Sequence, residues 1–359
     1  MRIGVLGSGN GGCAVAFECA SKGHEVSLFD FPEFPAQVAA IAERGGIRAE
    51  GEMSGFAKLA YAGHDIERVV TGADIVFAVG PAWSTRPFGE ACRPYLGRGQ
   101  VVVVCPGSGL GSVEFKNALG MDVRGGDVIV AETHTLPYGV RLSGPASIRV
   151  GTKVRDGLFL AALSHEHTDR VLRLVRRVYP YVSPAQSVLQ TTMQNANPVI
   201  HPAISLLNVG LIDRVGEGFL FYHEGATPAV GRLIEAVDTE RIAIGAALGV
   251  EVVPDPILGV RQGYMQTADY ATGYMESEGF KRSRAPGSLD HRYVQEDAGY
   301  GLVLFADLAR RAGVGTPIID SVITVLGVVT NTDFRHQKAR TLESLGLGHY
   351  SRDELREIL

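Results

Sequence analysis

Two groups of residues in this chain have types and spacings that could do chemistry. The first is Gly7-Ser8-Gly9-Asn10-Gly11-Gly12, which follows the apolar run Arg2 to Leu6 and opens a helical stretch, Cys13 to Lys22. A lone G-x-G-x-x-G is weak, but here it lies between a strand and a helix in a unit of about 30 residues, and the next strand ends in Asp30. In that setting Gly7 permits a tight turn, Gly9 lets the backbone approach a pyrophosphate, and Gly12 allows helix and strand to pack closely. The helix N-terminus then faces the phosphates, and Asp30 accepts from the adenosine ribose hydroxyls. A 2′-phosphate would meet a like charge at Asp30, and Phe31 to Gln37 offer no Lys or Arg. NAD is therefore expected, with NADP disfavoured. The second group lies in the other half of the chain: His201, directly before Pro202, and Arg292 and Asp297 in Arg292-Tyr-Val-Gln-Glu-Asp297. An imidazole at a break before a proline can project into a cleft. On the residues alone other roles stay open: a packed interior histidine, a helix cap for Asp297 and a surface arginine. The His-Pro step predicts a break or kink at His201.

The elements that must position these groups change character along the chain. Apolar runs of strand length, Ala73 to Val79, Val101 to Cys105 and Val128 to Ala131, read as strands of a parallel sheet covered on both faces. Ligands bind such sheets at the carboxyl ends of the strands, where Gly80 to Ser84, Pro106 to Gly109 and Glu132 to Tyr138 fall. A further strand pair is expected at Ala146 to Val154 and Leu158 to Leu163, then a helix around Asp169 to Val178. From Ser187 onward the period becomes helical, notably over Ile234 to Leu248 and Gly301 to Ala312. Thr316 to Val329 is apolar almost all round and predicts a buried central helix. The expected organisation is α/β: a Rossmann-type doubly wound parallel sheet over 1–186, binding NAD, and an all-α substrate domain over 187–359.

Composition removes other classes. With 34 basic and 39 acidic residues there is no overall basic surface for nucleic acid, and no apolar run approaches the ~20 residues of a membrane-spanning helix. The N-terminal glycines interrupt what would be a signal-peptide core, so a cytoplasmic chain is expected. Cys13, Cys19, Cys92 and Cys105 match no zinc or disulfide pattern and read as buried apolar residues. His165-Glu166-His167 lacks the spacing of a helical zinc pair, so no metal is expected.

Nearly end to end, the sequence resembles the opine dehydrogenases of the octopine/nopaline type. The likeness rests on Gly7 to Gly12, Pro106-Gly107, Glu132-Thr133, Asn197 to Pro202 and Phe221 to Val230 (Phe-Tyr-His-Glu-Gly-Ala-Thr-Pro-Ala-Val). It continues through Val237 to Ile242, Arg292-Tyr293 with Glu296-Asp297, Gly301 to Val303, Thr332 to Arg335 and Arg340 to Leu347. The resemblance implies reductive condensation, with NADH, of an amino acid's amine with a 2-oxo acid such as pyruvate through an imine to a secondary amine dicarboxylate. It also implies catalytic roles for His201 and Asp297 and a carboxylate-binding role for Arg292. Leu289-Asp290-His291 departs from an uncharged Asn-Thr pair usual there, as Ala298 departs from a valine. An Asp290 facing the pocket would favour a basic amino acid. The alternatives are a hydroxy-acid dehydrogenase of the glycerol-3-phosphate or ketopantoate reductase architecture, and an NAD-sensing protein without chemistry. Small-molecule substrates are the expected partners, with a homodimer left open.

Overall fold

Short β-branched runs between glycine turns build the first sheet. The strands are β1 (Arg2–Leu6), β2 (Glu25–Phe29), β3 (Gly46–Gly51), β4 (Gly55–Lys58), β5 (Tyr61–Gly63), β6 (Ile75–Ala78), β7 (Val101–Val104), β8 (Ile129–Thr133), β9 (Tyr138–Gly144), β10 (Ser147–Lys153), β11 (Leu158–Ala162) and β12 (Val182–Pro184). The structure is a computed structural model that describes every residue except Lys338. Eight strands form one sheet in the order β12-β11-β8-β7-β6-β1-β2-β5. From β8 to β5 every pairing is parallel, and β11 enters antiparallel to β8. The chain winds outward in both directions from β1, which is the Rossmann arrangement. Val5, Val76, Val102 and Leu160 are fully buried, as strands covered on both faces require.

A second sheet, in the order β4-β3-β10-β9, corrects one sequence expectation. Ala146 to Val154 does not pair with Leu158 to Leu163: β10 pairs with β9 and β3, whereas β11 pairs with β8 and β12. The reason is visible in the side chains. Along β10 only Ile148, Val150 and Thr152 are buried, the alternation of a sheet with one wet face, but β11 is buried throughout. The helix Asn10–Ser21 packs against this small sheet as well as against β1 and β2. Its buried Glu18 accepts hydrogen bonds from Tyr138 Oη on β9 at 2.6 Å and Lys153 Nζ on β10 at 2.7 Å, which fixes the helix behind the glycine loop. All four cysteines are buried and free.

The chain divides into two units, Met1–Thr191 with Ile358–Leu359, and Thr192–Glu357. The seam falls inside the helix Val188–Gln194, against an expected seam at 186/187. The second unit is helical. Its 20-residue helix Pro228–Ala247 packs against Asn197–Leu207, Val303–Ala312 and Pro317–Thr330. Arg241, with no exposed surface, donates to Asp238 Oδ1 at 2.6 Å and to the Met193 and Val253 carbonyls, so its charge is compensated where it is buried. Two expectations fail here. Pro317–Thr330 is not a fully buried helix: Val325, Val328 and Val329 are 46%, 76% and 40% exposed, and only the stripe of Ile319, Val322, Ile323 and Leu326 is covered. And the chain does not break at His201. Helix Asn197–Leu207 runs through Pro202, because Pro198 already sits in its first turn and both rings are packed in the interior.

Candidate active site

The glycine loop has the shape its spacing demands. Gly7 has φ +102°, and a Cβ there would lie 2.2 Å from the Val79 carbonyl oxygen. A Cβ on Gly12 would lie 1.8 Å from the Gly7 oxygen, so strand end and helix start touch. A Cβ on Gly11 would press on Val79 and Leu136. Gly9 differs. It caps the helix Asn10–Ser21 without a side-chain acceptor, and a Cβ there would meet nothing within 4 Å. The first-turn N–H groups thus lie beside the one loop glycine whose added Cβ would meet nothing. A coenzyme pyrophosphate fits that cradle. Ser8 and Asn10 serve the loop from the sides: Ser8 N and Oγ both donate to Asp30 Oδ2 at 2.7 Å, and Asn10 Oδ1 accepts from Leu142 N of β9 at 2.7 Å. Asp30 also accepts from Phe31 N at 2.9 Å and is 8% exposed. The carboxylate expected at the ribose is therefore anchored to the loop expected to hold the phosphates. At the end of β8, Glu132 accepts from Ser112 N and Thr191 Oγ1 and fills the space against Gly107, which makes it a brace of the strand ends.

In the helical unit, His201 and Asp297, 96 positions apart in sequence, meet at 2.7 Å through Nδ1 and Oδ2. They are 6% and 3% exposed. Three local features bring them together. Asp297 does not N-cap a helix beginning near Tyr300. It opens a π-helical segment, Asp297–Leu302, inside a continuous helical run from Arg292–Glu296 to Val303–Ala312. The widened turn re-aims side chains relative to the regular turns around it. One turn further on, Gly301 lies so near Pro198 that a Cβ would come within 2.3 Å of the proline ring, and that closeness lets the two helices approach at the dyad. Tyr293, four residues before Asp297, stacks on the imidazole at 3.9 Å between ring centroids and 18° between planes. Burial pushes the Asp297 carboxyl up to about 7, with the Arg292 guanidinium pulling the other way. The carboxyl is thus brought well above the ordinary carboxylate range by the loss of water around it.

Arg292 lies one position before Tyr293. Its Nε donates to the buried Glu296 at 2.8 Å, its side chain is 42% exposed, and its two Nη nitrogens bond to no other described residue. That leaves one edge of the fork for an outside carboxylate. Sequence reasoning missed Tyr222, whose hydroxyl lies 2.8 Å from His201 Nε2 and is buried with it. The signal was its place in Phe221-Tyr222-His223-Glu224-Gly225. Asp290 is exposed.

Comparison with known proteins agrees with both halves. Residues 184–330 match the model of the NAD/NADP octopine/nopaline dehydrogenase alpha-helical domain, and residues 2–146 that of the NAD-dependent glycerol-3-phosphate dehydrogenase N-terminus. The chain is 34% identical over 347 residues to an opine dehydrogenase of Arthrobacter sp. (strain 1C), with 96% of this chain and 94% of that protein covered. The chain belongs to the opine dehydrogenase family. It is an NAD(P)-dependent oxidoreductase of that family. It is also 27% identical to a vitopine synthase of Allorhizobium ampelinum, with 79% of this chain and 77% of that one covered. In fold it is similar to an octopine dehydrogenase solved in complex with NADH and agmatine, at a TM-score of 0.80 and 20% identity, with 98% and 97% covered. Among the described residues no helix is long and apolar enough to cross a membrane.

Proposed function

We propose that the enzyme joins the amine of an amino acid to the carbonyl of a 2-oxo acid and reduces the resulting imine, with His201 and Asp297 as its acid–base pair and Arg292 as its carboxylate clamp. The observation that carries this reading is the buried His201–Asp297 contact at 2.7 Å, one helical turn from an arginine fork with a free edge. When bound, a nicotinamide coenzyme supplies the hydride. The residues of this chain do the rest. Asp297 accepts the Nδ1–H of His201, which fixes the tautomer and stabilises the imidazolium. His201 then holds the proton that the imine nitrogen needs as it becomes an amine. Tyr293, stacked on the imidazole, keeps the ring in plane for that exchange. The Nη edge of Arg292 holds a substrate carboxylate bidentately while Glu296 fixes its Nε end. The Gly7 to Gly12 loop, with Ser8, Asn10 and Asp30 setting its shape, supports NAD binding, and the domain roles follow: 1–186 for coenzyme and 187–359 for substrate.

Amine dependence separates this reading from a hydroxy-acid dehydrogenase. A panel of amino acids crossed with pyruvate, 2-oxoglutarate and oxaloacetate, followed by NADH absorbance, should show oxidation only when both an amino acid and an oxo acid are present. Oxidation with an oxo acid alone, at the same rate, would overturn the reading.

A further inference from the structure

Both imidazole nitrogens of His201 are engaged: Nδ1 by Asp297 Oδ2 at 2.7 Å and Nε2 by Tyr222 Oη at 2.8 Å. An ionised carboxylate only accepts, so Nδ1 carries a hydrogen in the Asp297 contact. In the neutral imidazole Nε2 is then an acceptor, and the Tyr222 hydroxyl is its donor. In the imidazolium the direction reverses: Nε2–H donates to Tyr222 Oη, and the phenolic O–H is released to donate elsewhere. Every proton that leaves His201 through Nε2 therefore meets the Tyr222 oxygen first.

Tyr222 is built into place. Its ring stacks on Phe280 at 4.2 Å and 15° and meets Phe221 edge-on at 5.2 Å and 90°. The turn that carries it is held by Phe221 N donating to Ser283 O at 2.8 Å and by Ala226 N donating to Tyr222 O at 3.0 Å. A Cβ on Gly225 would lie 2.3 Å from the Phe221 oxygen, so the turn closes only with glycine there. Asn208, just past the helix that bears His201, donates from Nδ2 to both Ile204 O and Gly225 O, at 2.8 and 3.0 Å, and ties helix to turn. A tyrosine 5% exposed and pinned from two sides cannot swing its hydroxyl aside without breaking this packing.

From this geometry we infer that Tyr222 is the proton relay of the enzyme, the group that passes the proton of His201 to the substrate nitrogen. The inference rests on the acid–base reading of His201 given above. In the reductive direction the nitrogen of the imine, whose carbon takes the hydride of the nicotinamide coenzyme, forms a bond to the Tyr222 hydrogen. The Tyr222 O–H bond breaks, Oη takes the hydrogen of His201 Nε2, and the imidazolium becomes neutral imidazole. One proton moves from His201 to the amine, and Tyr222 ends as it began.

The test is Tyr222→Phe, which keeps both ring contacts. In the steady state the variant should lose roughly 10²- to 10⁴-fold in kcat, the usual range for a lost acid–base step, with KM for NADH within about threefold of wild type. Rates in mixtures of light and heavy water should depend quadratically on deuterium content in the wild type, since two protons move together, and linearly in Tyr222→Phe. A kcat within threefold of wild type, or a loss of kcat with the proton dependence unchanged, overturns the relay. Nitrogen NMR of histidine-labelled enzyme, without substrate, keeps the result separate from the reaction assignment. The His201 Nε2 resonance should move downfield in Tyr222→Phe as the acceptor loses its donor, and no movement overturns the contact. If no combination of amino acid and oxo acid oxidises NADH but Nε2 moves, the opine reading fails and the Tyr222–His201 bond stands. A variant that fails to fold is replaced by 3-fluorotyrosine at position 222, which retains the ring and hydroxyl. A relay then changes kcat through the altered acidity of the phenol, and an unchanged kcat overturns it.

Discussion

Replacing Asp297 by asparagine changes one charge at nearly constant shape. In the wild type the carboxylate accepts the Nδ1–H of His201 at 2.7 Å, inside a site where both groups are almost wholly buried. A hydrogen bond to a charged group contributes about 1.5 to 3 kcal/mol, and at 1.36 kcal/mol per decade its loss from the imidazolium form should lower kcat by roughly 10- to 150-fold. The effect grows if the new amide turns its NH₂ toward Nδ1, since this forces the other tautomer. The pH dependence has a definite sign. The Asp297 carboxyl titrates near 7 in the folded chain, and the reductive reaction needs the proton that the pair holds below that value. Wild-type kcat for reduction should fall as pH rises through about 7, and kcat for oxidation should fall as pH drops through it. For stability, a folded value above the ordinary 3.8 means that the contribution of this group is fully present below about pH 4 and is lost as pH rises through about 7. The asparagine variant has no such slope, so it should gain in Tm relative to wild type as pH rises from about 4 to about 7 and hold that gain above, even as it loses activity. Initial rates of NADH oxidation at saturating substrates, with thermal melts at the same pH values, measure all three. His201→Gln should cost roughly 10²- to 10⁴-fold, and the double variant much less than the product of the two losses, because the residues act as a unit. Multiplicative losses, or an asparagine variant within twofold of wild-type kcat, would refute the pairing.

Gly9→Ala should fold with an unchanged Tm and lose NADH affinity, because its Cβ enters only open space, whereas Gly12→Ala, whose Cβ would lie 1.8 Å from the Gly7 oxygen, should lose stability outright; equal melting points for the two would contradict this. NADH should be preferred over NADPH by roughly 10- to 150-fold in kcat/KM, the size of a lost charged hydrogen bond. Asp30→Ala should narrow that ratio while also weakening NADH, since Asp30 holds Ser8, and equal kcat/KM for the two coenzymes in the wild type would refute the assignment. Arg292→Lys should raise KM for the oxo acid or the opine by about tenfold or more, because a lysine ammonium that satisfies Glu296 leaves no second edge for the substrate; an unchanged KM for every carboxylate substrate would make Arg292 a surface residue. Burial and the neighbouring Asp238 push the Asp255 carboxyl up to about 6, so its stabilising share is present below about pH 4 and lost as pH rises through 6. Asp255→Asn, which can still accept from Tyr274 Oη, should therefore gain Tm relative to wild type at pH 7.5 but not at pH 4, and a pH-independent difference would show that Asp255 is not the titrating group.

What the sequence made legible was local. The glycine loop could be read because turn, helix start and second strand fall within 30 consecutive residues, although only Gly12 meets its neighbour, the Gly7 oxygen, inside that unit, while Gly7 and Gly11 press on Val79 beyond it. Strand partners were less legible, since pairing is a property of the whole sheet. Yet the alternating burial of Ser147–Lys153 against the continuous burial of Leu158–Ala162 was already written in Ser-Ile-Arg-Val-Gly-Thr-Lys and Leu-Phe-Leu-Ala-Ala. The apolar ring of Pro317–Thr330 misled for the opposite reason. Hydrophobicity shows that a residue can be buried, and Val328, 76% exposed, has no neighbour among the described residues that covers it.

The dyad itself depends on backbone features that carry no chemical signal. Histidine and aspartate advertise acid–base chemistry by type, but nothing in their own identity brings them within 2.7 Å across 96 positions. That distance follows from a glycine that lets Pro198 approach Gly301, from a π turn that begins at Asp297, and from a helix that continues through a His-Pro step where local preference predicts a break. Each costs local regularity. A π turn forgoes ideal hydrogen-bond geometry, a proline in the second turn removes an N–H donor, and a helical glycine loses more chain entropy than alanine. Such departures cluster where a structure gives up stability for function, and all three lie within one turn of the imidazole or of its carboxylate partner. Tyr222 fits the same pattern, since the turn that seats its hydroxyl on Nε2 closes only around Gly225. The positions that fold worst by local rules are thus the ones that hold the proton path together.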